Sequence, residues 1–381
     1  MANEDKSTRY QRGRRRVAVW TVLVDMAVLA AAAWVGWRMQ TEGAGVTGPA
    51  VPRTMLFVLG ICVVRFLAIL PLAYHAEVVL ERRYQPTGAS TTQWLMAFLG
   101  RLAQSAVLAV GAALVVQAAA WWAGPLWWAW ATGVLAVAVV GAAYLVPAAL
   151  ARAATEVAPL GRPELEARLS ALAVRVGVPA IQVLAWKAGR AGRTSAMLVG
   201  AGRSRRVLVA ESVLDSHADD EIEVIVAHEL AHSVRGDMWR SSALAVAAGA
   251  ACFFVSARAV EVLDGALGIG APGGLASLPL VGLACRGMWG ALSPLANAMS
   301  RAQERRADRD ALAWTQNAPA LVRTLRRLGA AHLAEDRPSR LSGVLFGRHP
   351  PLAERIAAAE GWEREASMPN AQCPMPNRVR N

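Results

Sequence analysis

Six blocks of apolar residues, each long enough to cross a lipid bilayer, set the terms on which this chain can fold. They run over about 17–37, 54–74, 94–122, 126–150, 241–262 and 275–298. A helix needs about 20 residues to span the hydrocarbon core. Inside that core every backbone N–H and C=O must find a partner within the protein, which an isolated helix achieves and a loop does not. The fold class is therefore mostly α, a bundle of about six membrane spans. Charged residues make up 18% of the 381-residue chain, below the roughly 25% of soluble domains. The third block is the least uniform, interrupted by Arg101, Gln104 and Gln117. Trp34, Trp37, Trp121, Trp122, Trp127, Trp128 and Trp130 gather near the expected span ends, where amphipathic rings favour the interface.

A formal net charge of +12 would suggest nucleic acid as the partner of a soluble protein. Here the charge sorts by segment, so no nucleic-acid partner is expected. Residues 1–16, 75–93, 151–240 and 299–381 hold 34 of the 40 Lys and Arg residues, while the intervening loops carry only Arg38 and Arg53. With six crossings the basic stretches share one side, and the positive-inside rule places that side in the cytoplasm. The short tail with Arg12, Arg14, Arg15 and Arg16 weighs most. The protein reads as multi-pass in the cell membrane, with both termini and both large polar stretches cytoplasmic. The preference for arginine over lysine (only Lys6 and Lys187) reads as codon usage of a GC-rich bacterium.

The chain then divides into a basic cytoplasmic tail (1–16), a four-span region (17–150), a polar block (151–240), a two-span hairpin (241–298), a second polar block (299–365) and a Pro/Asn-rich tail (366–381) that reads as disordered. The first polar block opens with an amphipathic helix over 163–173. Short β-like runs follow at Ile181–Leu184, Ala196–Val199 and Arg206–Val209, with Gly200, Gly202 and Arg203 suited to a hairpin turn between the last two. A sheet edge there could accept a peptide as an added strand. Asp219, Asp220 and Glu221 supply the acidic residues that favour a helix N-terminus.

The next helix carries His228-Glu229-Leu230-Ala231-His232. Residues four apart on a helix share a face, so the two imidazoles can hold one Zn²⁺ while the glutamate takes a proton from water that the metal acidifies. Such a site needs a third protein ligand. Glu304 and Asp308, again four apart, offer Glu304 as that ligand and Asp308 as the acceptor of the second ring N–H of His228. An even number of crossings must separate the two polar blocks for Glu304 to rejoin the histidines, and the hydropathy gives two. Taken alone, the second stretch reads better as a solvated arginine-rich helix face; paired with the histidine motif it does not.

The four cysteines, Cys62, Cys252, Cys285 and Cys373, form no CxxC pair, so neither disulfides nor a thiolate site is expected. Asp25, Arg65, Arg101, Arg258 and Arg286 fall within expected spans. Such charges either face a cavity or pair between helices, and both readings stay open.

Taken together, the His228–His232 motif followed by Arg235-Gly236-Asp237, the stretch Ser300-Arg301-x-x-Glu304-x-x-Ala307-Asp308, and the late His349-Pro350-Pro351-Leu352-x-x-Arg355-Ile356 resemble the type I CAAX prenyl protease family of integral-membrane zinc metallopeptidases. Glu81-Arg82-Arg83-Tyr84, Trp94, Val176-Gly177-Val178-Pro179 and Gly200-Ala201-Gly202 extend the resemblance over about residues 54–360. It implies a zincin-like α+β catalytic domain on the cytoplasmic side and a water-filled chamber among the helices. It implies one Zn²⁺ on His228, His232 and Glu304, and Glu229 as general base. Asp308 is implied as support for the metal or as proton donor, and His349 as a group aimed at the substrate carbonyl. Substrate backbone is expected at Ser195, Ala196 and Met197, with Ser195 standing where the family usually carries asparagine. Arg305 stands where it often carries tyrosine.

The expected function is a membrane-embedded zinc metalloendopeptidase acting on peptides or proteins that are membrane-associated or lipidated. Heat-shock quality-control proteases share the motifs but usually have fewer spans before the histidine helix. A signalling protease would bring an extracellular sensor, for which a loop of about 16 residues is too short. A scaffold or transporter would not need the His–Glu–His–Glu set.

Overall fold

The computed structural model describes residues 2–41, 50–84, 90–153, 157–178, 182–186, 196–199 and 206–367. The Gly200–Arg203 turn, Ser195 and residues 368–381 of the tail lie outside them. The chain divides into two compact units, one of residues 1–138 and 244–293, the other of 139–243 and 294–381. The division falls within three helices.

In the first unit, α1 (Ala2–Thr41) and α2 (Ala50–Tyr74) lead through a π-helical turn, His75–Val79, into α3 (Leu80–Tyr84). Helix α4 (Thr91–Ala123) starts on a capping box in which the Ser90 hydroxyl accepts from Gln93 N–H and the Gln93 side chain accepts from Ser90 N–H. It ends at Gly124, whose φ of 51° lies in the region only glycine enters freely. A 3₁₀ turn then leads to α5 (Trp127–Ala153). Helices α9 (Asp237–Leu267) and α10 (Ser277–Thr315) complete the long elements. Among the described residues, four helical stretches are long and apolar enough to cross a membrane. The third, Thr91–Leu145, runs through α4 and α5, two of the six expected spans. The sixth expected span is the first half of α10, which is helical but is not one of those stretches. Arg286 and Pro294 dilute its apolarity.

The basic residues 1–16 continue into the first helix. Helix α1 runs unbroken from Ala2, and Tyr10, almost fully buried, donates to Glu81 at 2.5 Å. The tryptophans also divide. Trp34, Trp121, Trp122 and Trp130 are exposed as interfacial rings would be, but Trp127 is a core residue. The intramembrane charges are paired. Buried Asp25 accepts from Arg65 at 2.7 Å and lies 3.5 Å from Arg286. Arg101 pairs with Glu77 and Arg258 with Glu261.

The second unit is a layered α+β domain. Its sheet has the order β1-β2-β4-β3, from β1 (Val157–Pro159), β2 (Gln182–Trp186), β3 (Ala196–Val199) and β4 (Arg206–Ala210). The central pair is parallel, with Val183 opposite Val207, and both outer pairs are antiparallel. Helix α6 (Pro163–Arg175) sets Leu165, Leu169, Leu172 and Ala173 on one buried stripe, the spacing an amphipathic helix requires. After α7 (Glu211–Ser216) comes α8 (Asp219–Arg235), which is buried on two faces. Ile222, Ile225, Val226 and Leu230 join the sheet core, while Val224 joins Leu312, Leu321 and Leu325 from α10 and from α11 (Ala318–Ala331). Burying one such side chain stabilises by about 1.5–3 kcal/mol. Helices α12 (Arg340–Phe346) and α13 (Leu352–Ala366) close the unit.

Candidate metal centre

The first two candidate ligands lie on α8, which packs into two hydrophobic cores of the second unit. Acidic residues open α8, and the Glu221 carboxylate accepts from the Ala218 backbone N–H at 3.2 Å, complementing the helix N-terminus. Glu221 is fully buried and pairs with Arg323 at 3.0 Å. The far end stops at Gly236, which has φ 66°. A left-handed residue there lets the last carbonyls of the helix be capped while the chain turns away.

On α8, His228 and His232 place their Nε2 atoms 3.2 Å apart. From α10, Glu304 brings Oε2 to 3.5 Å from His228 Nε2 and Oε1 to 3.5 Å from His232 Nε2. Zinc bonds to nitrogen and oxygen are about 2.0–2.2 Å, which puts neighbouring ligand atoms of a tetrahedral site about 3.3 Å apart. Each imidazole nitrogen therefore has the other nitrogen and one Glu304 oxygen at about the spacing of neighbouring ligands in such a site. Two imidazole nitrogens facing each other at this distance require a proton or a cation between them. The donor set and the distances fit a zinc ion.

Behind the ligands stands a layer of carboxylates. His228 Nδ1 lies 3.0 Å from Asp308 Oδ1, an ion-pair contact too poorly aligned to count as a hydrogen bond. His232 Nδ1 lies 2.9 Å from Asp237 Oδ2. Both carboxylates are buried. Arg355 grips Asp308 with two hydrogen bonds, 2.7 and 2.6 Å, and reaches to 3.7 Å from Glu304. Asp237 is flanked by Arg240 at 3.4 Å and Arg306 at 3.6 Å.

These contacts set the proton affinities. Burial disfavours the charged His228 imidazole, but its contacts with Asp308 and Glu304 outweigh this and push its pKa up to about 10. His232 moves the same way: burial lowers it, and Glu304 and Asp237 more than compensate. Burial would raise Glu304 and Asp308, yet the histidines beside both, and Arg355 beside Asp308, hold them well below the usual carboxylate range. The centre is thus a buried anionic cradle that attracts a cation. Glu229 differs. Burial raises its carboxyl, opposed by His228 and His232.

All three expected ligands come together, and Asp308 sits against His228. His349 projects at the rim, two-thirds exposed, with Nδ1 3.1 Å from Glu304 Oε2. Ala196 and Met197 open β3, at one end of the sheet, and Ala196 is buried in the core it shares with α8. Two groups were not assigned a role from sequence. Asp237 carried a signal, an acid one residue past a helix-ending glycine and five past a ligand. Arg355 had only its place in the late His-Pro motif.

A model of peptidase family M48 matches residues 159–363, more than half of the chain. A model of the CAAX prenyl protease N-terminal region, five membrane helices, matches residues 2–152. The uncharacterized metalloprotease YhfN of Bacillus subtilis is 30% identical over 212 residues, 54% of this chain and 49% of that protein. A protease HtpX homolog of Chlorobium limicola is 30% identical over 184 residues, 44% of this chain and 62% of the homolog. The chain thus spans between about half and three-fifths of the length of these two relatives. The crystal structure of S. mikatae Ste24p is 19% identical, with a TM-score of 0.78 over 94% of this chain and 89% of that one. That likeness is one of fold.

Proposed function

Because the chain belongs to peptidase family M48, a multi-pass membrane family in this form, we propose that it is a zinc metalloendopeptidase that hydrolyses peptide bonds of membrane-associated substrates. The observation that carries this reading is the 3.2–3.5 Å spacing of His228 Nε2, His232 Nε2 and the Glu304 carboxylate. These three residues would hold one zinc ion. Bound there, zinc supplies a Lewis acid that polarises a carbonyl and lowers the pKa of water from about 15.7 toward about 7.

The remaining work falls to side chains. Glu229, on the ligand helix, takes the proton from the attacking water and returns it to the leaving amine. Burial raises its carboxyl, opposed by His228 and His232, the direction that suits a general base. His349 keeps Nδ1 against Glu304 and turns its exposed Nε2 toward the carbonyl oxygen of the substrate. Asp308 and Asp237 fix the two ligand rings through their Nδ1 atoms. Arg355 holds the Asp308 carboxylate with two hydrogen bonds, which suits Asp308 to orienting His228. The peptide adds to the side of β3 that has no strand partner among the described residues, through backbone bonds, along Ser195, Ala196 and Met197. The segregation of arginine supports a cytoplasmic position for this unit and both termini.

Glu229→Gln should retain zinc and lose activity by about 10²–10⁴-fold, whereas Glu304→Ala should lose the metal itself. Elemental mass spectrometry and a cleavage assay on purified protein separate the two. A cleaving Glu229→Gln enzyme would reject the base, and full zinc in Glu304→Ala would reject the ligand. The similarity to HtpX homologs favours a second reading, turnover of damaged membrane proteins. Comparing membrane proteomes with and without Glu229→Gln distinguishes it, because specific maturation changes a few defined termini and quality control changes many.

A further inference from the structure

In the second unit the exposed large apolar residues follow a pattern with one exception of consequence. Val140, Tyr144 and Leu145 lie on α5, Met238 and Trp239 on α9, and Leu295 on α10. Helices α5 and α9 carry spanning stretches and α10 an expected one, and Tyr144 packs against Trp239 with ring centroids 5.3 Å apart, as aromatic residues do at an interface. Apart from Val174 on α6, the only others among the described residues are Leu341, Val344, Leu345 and Phe346, four on the seven-residue α12.

That helix is fixed to one stretch of α10. Asn297 donates to the carbonyls of Val344 and Leu345 at 3.2 and 2.8 Å, and Arg301 donates to those of Gly343 and Gly347 at 2.8 and 2.6 Å. A Cβ at Gly347 would fall 2.6 Å from the Gly343 carbonyl oxygen, so only glycine closes this end. Both anchors sit where α10 changes character, from the apolar stretch ending at Met299 to the charged run from Arg301 to Asp310. The last backbone carbonyls of α12 therefore point at α10, level with the end of the expected span. Leu341, Val344 and Leu345, spaced as one helical face, remain exposed, and exposed Arg340 and Arg348 flank them.

We infer that α12 is an interfacial helix: it lies in the boundary between acyl chains and headgroups where α10 leaves the bilayer, and Arg340 and Arg348 bind anionic lipid headgroups. The apolar face supplies insertion and the guanidiniums supply attraction to anionic lipid, the two contributions that hold such helices at a membrane surface. The partner is lipid, not a second copy of the chain or a peptide, because the face lies beside the point where the apolar half of α10 gives way to its charged half and is bordered by cations. The inference is independent of the proteolytic reading.

The test uses full-length protein in phosphatidylcholine vesicles, with and without phosphatidylglycerol. The four native cysteines are replaced, and a polarity-sensitive fluorophore is attached at Val344→Cys, Leu345→Cys or, as a solvent-exposed reference, Val174→Cys. The α12 labels should emit at shorter wavelength than the reference. Lipid nitroxides near the headgroup end of the acyl chain should quench them, and aqueous iodide should quench only the reference strongly. Phosphatidylglycerol should deepen lipid quenching, and Arg340→Gln with Arg348→Gln should remove that increment. Iodide quenching of the α12 labels equal to the reference, a cross-link between Leu345→Cys sites of two copies, or shielding that appears only on adding a peptide would each overturn the inference.

Discussion

His228 illustrates how a single side chain couples metal to protons. Without metal, its contacts with Asp308 and Glu304 push its pKa up to about 10, from about 6.5 when unfolded. A raised imidazole contributes stability that is fully present below about 6.5 and is lost as pH rises through about 10. Zinc needs the neutral ring, so loading near neutral pH must expel at least about one proton. Calorimetric titrations in buffers of different ionisation enthalpy should show that release, and a buffer-independent heat would contradict it. Metal affinity should accordingly weaken as pH falls. The carboxylates behind the rings act by geometry. Asp237→Ala or Asp308→Asn should weaken zinc by roughly 10–100-fold, read by competition with a chelator, while leaving the three ligands in place. The pairing of His228 with His232 was legible in the sequence, because it follows helical spacing. Asp308 and Arg355 meet across 47 residues, and no local pattern encodes that.

Among the elements, α8 carries the strongest imprint of sequence, because acidic start, apolar faces, ligand pair and terminal glycine coincide. The amphipathic α6 was legible for the same reason, with Pro163 at its first turn and four buried residues on one stripe. Strands β2 to β4 lie within two residues of the expected runs. The three-residue β1 was not foreseen, since Val157–Pro159 is too short to alternate and is defined only by its pairing with β2. Gly236 is the joint of the site, for its left-handed φ lets Asp237 begin α9 beside His232. Gly236→Ala should destabilise by about 1–2 kcal/mol and lower zinc affinity as well. Thermal melting in detergent with and without chelator reads both, and an unchanged metal affinity would detach the turn from the site.

For the molecule as a whole, apolar block length and charge segregation carried most of the information. Hydropathy does not show which charges meet. Asp25 answers both Arg65 and Arg286, drawing α1, α2 and α10 of the first unit together. Removing one partner of a buried pair strands the other, at a cost of about 3–5 kcal/mol that partial exposure of the arginines reduces. Asp25→Asn should lower the melting temperature in detergent, and Asp25→Leu with Arg65→Leu should lower it less. An equal or larger loss in the double variant would show that the ion pair is not what the helices depend on.

The three ligands are separated along the chain by α9 and the first half of α10. No contiguous truncation can therefore retain His228, His232 and Glu304 while discarding these two long helices. A water-soluble fragment obtained by trimming the ends of the gene is ruled out by connectivity alone. Any minimal version of this metal centre would have to be re-threaded, with a designed linker in place of residues between Arg240 and Pro294.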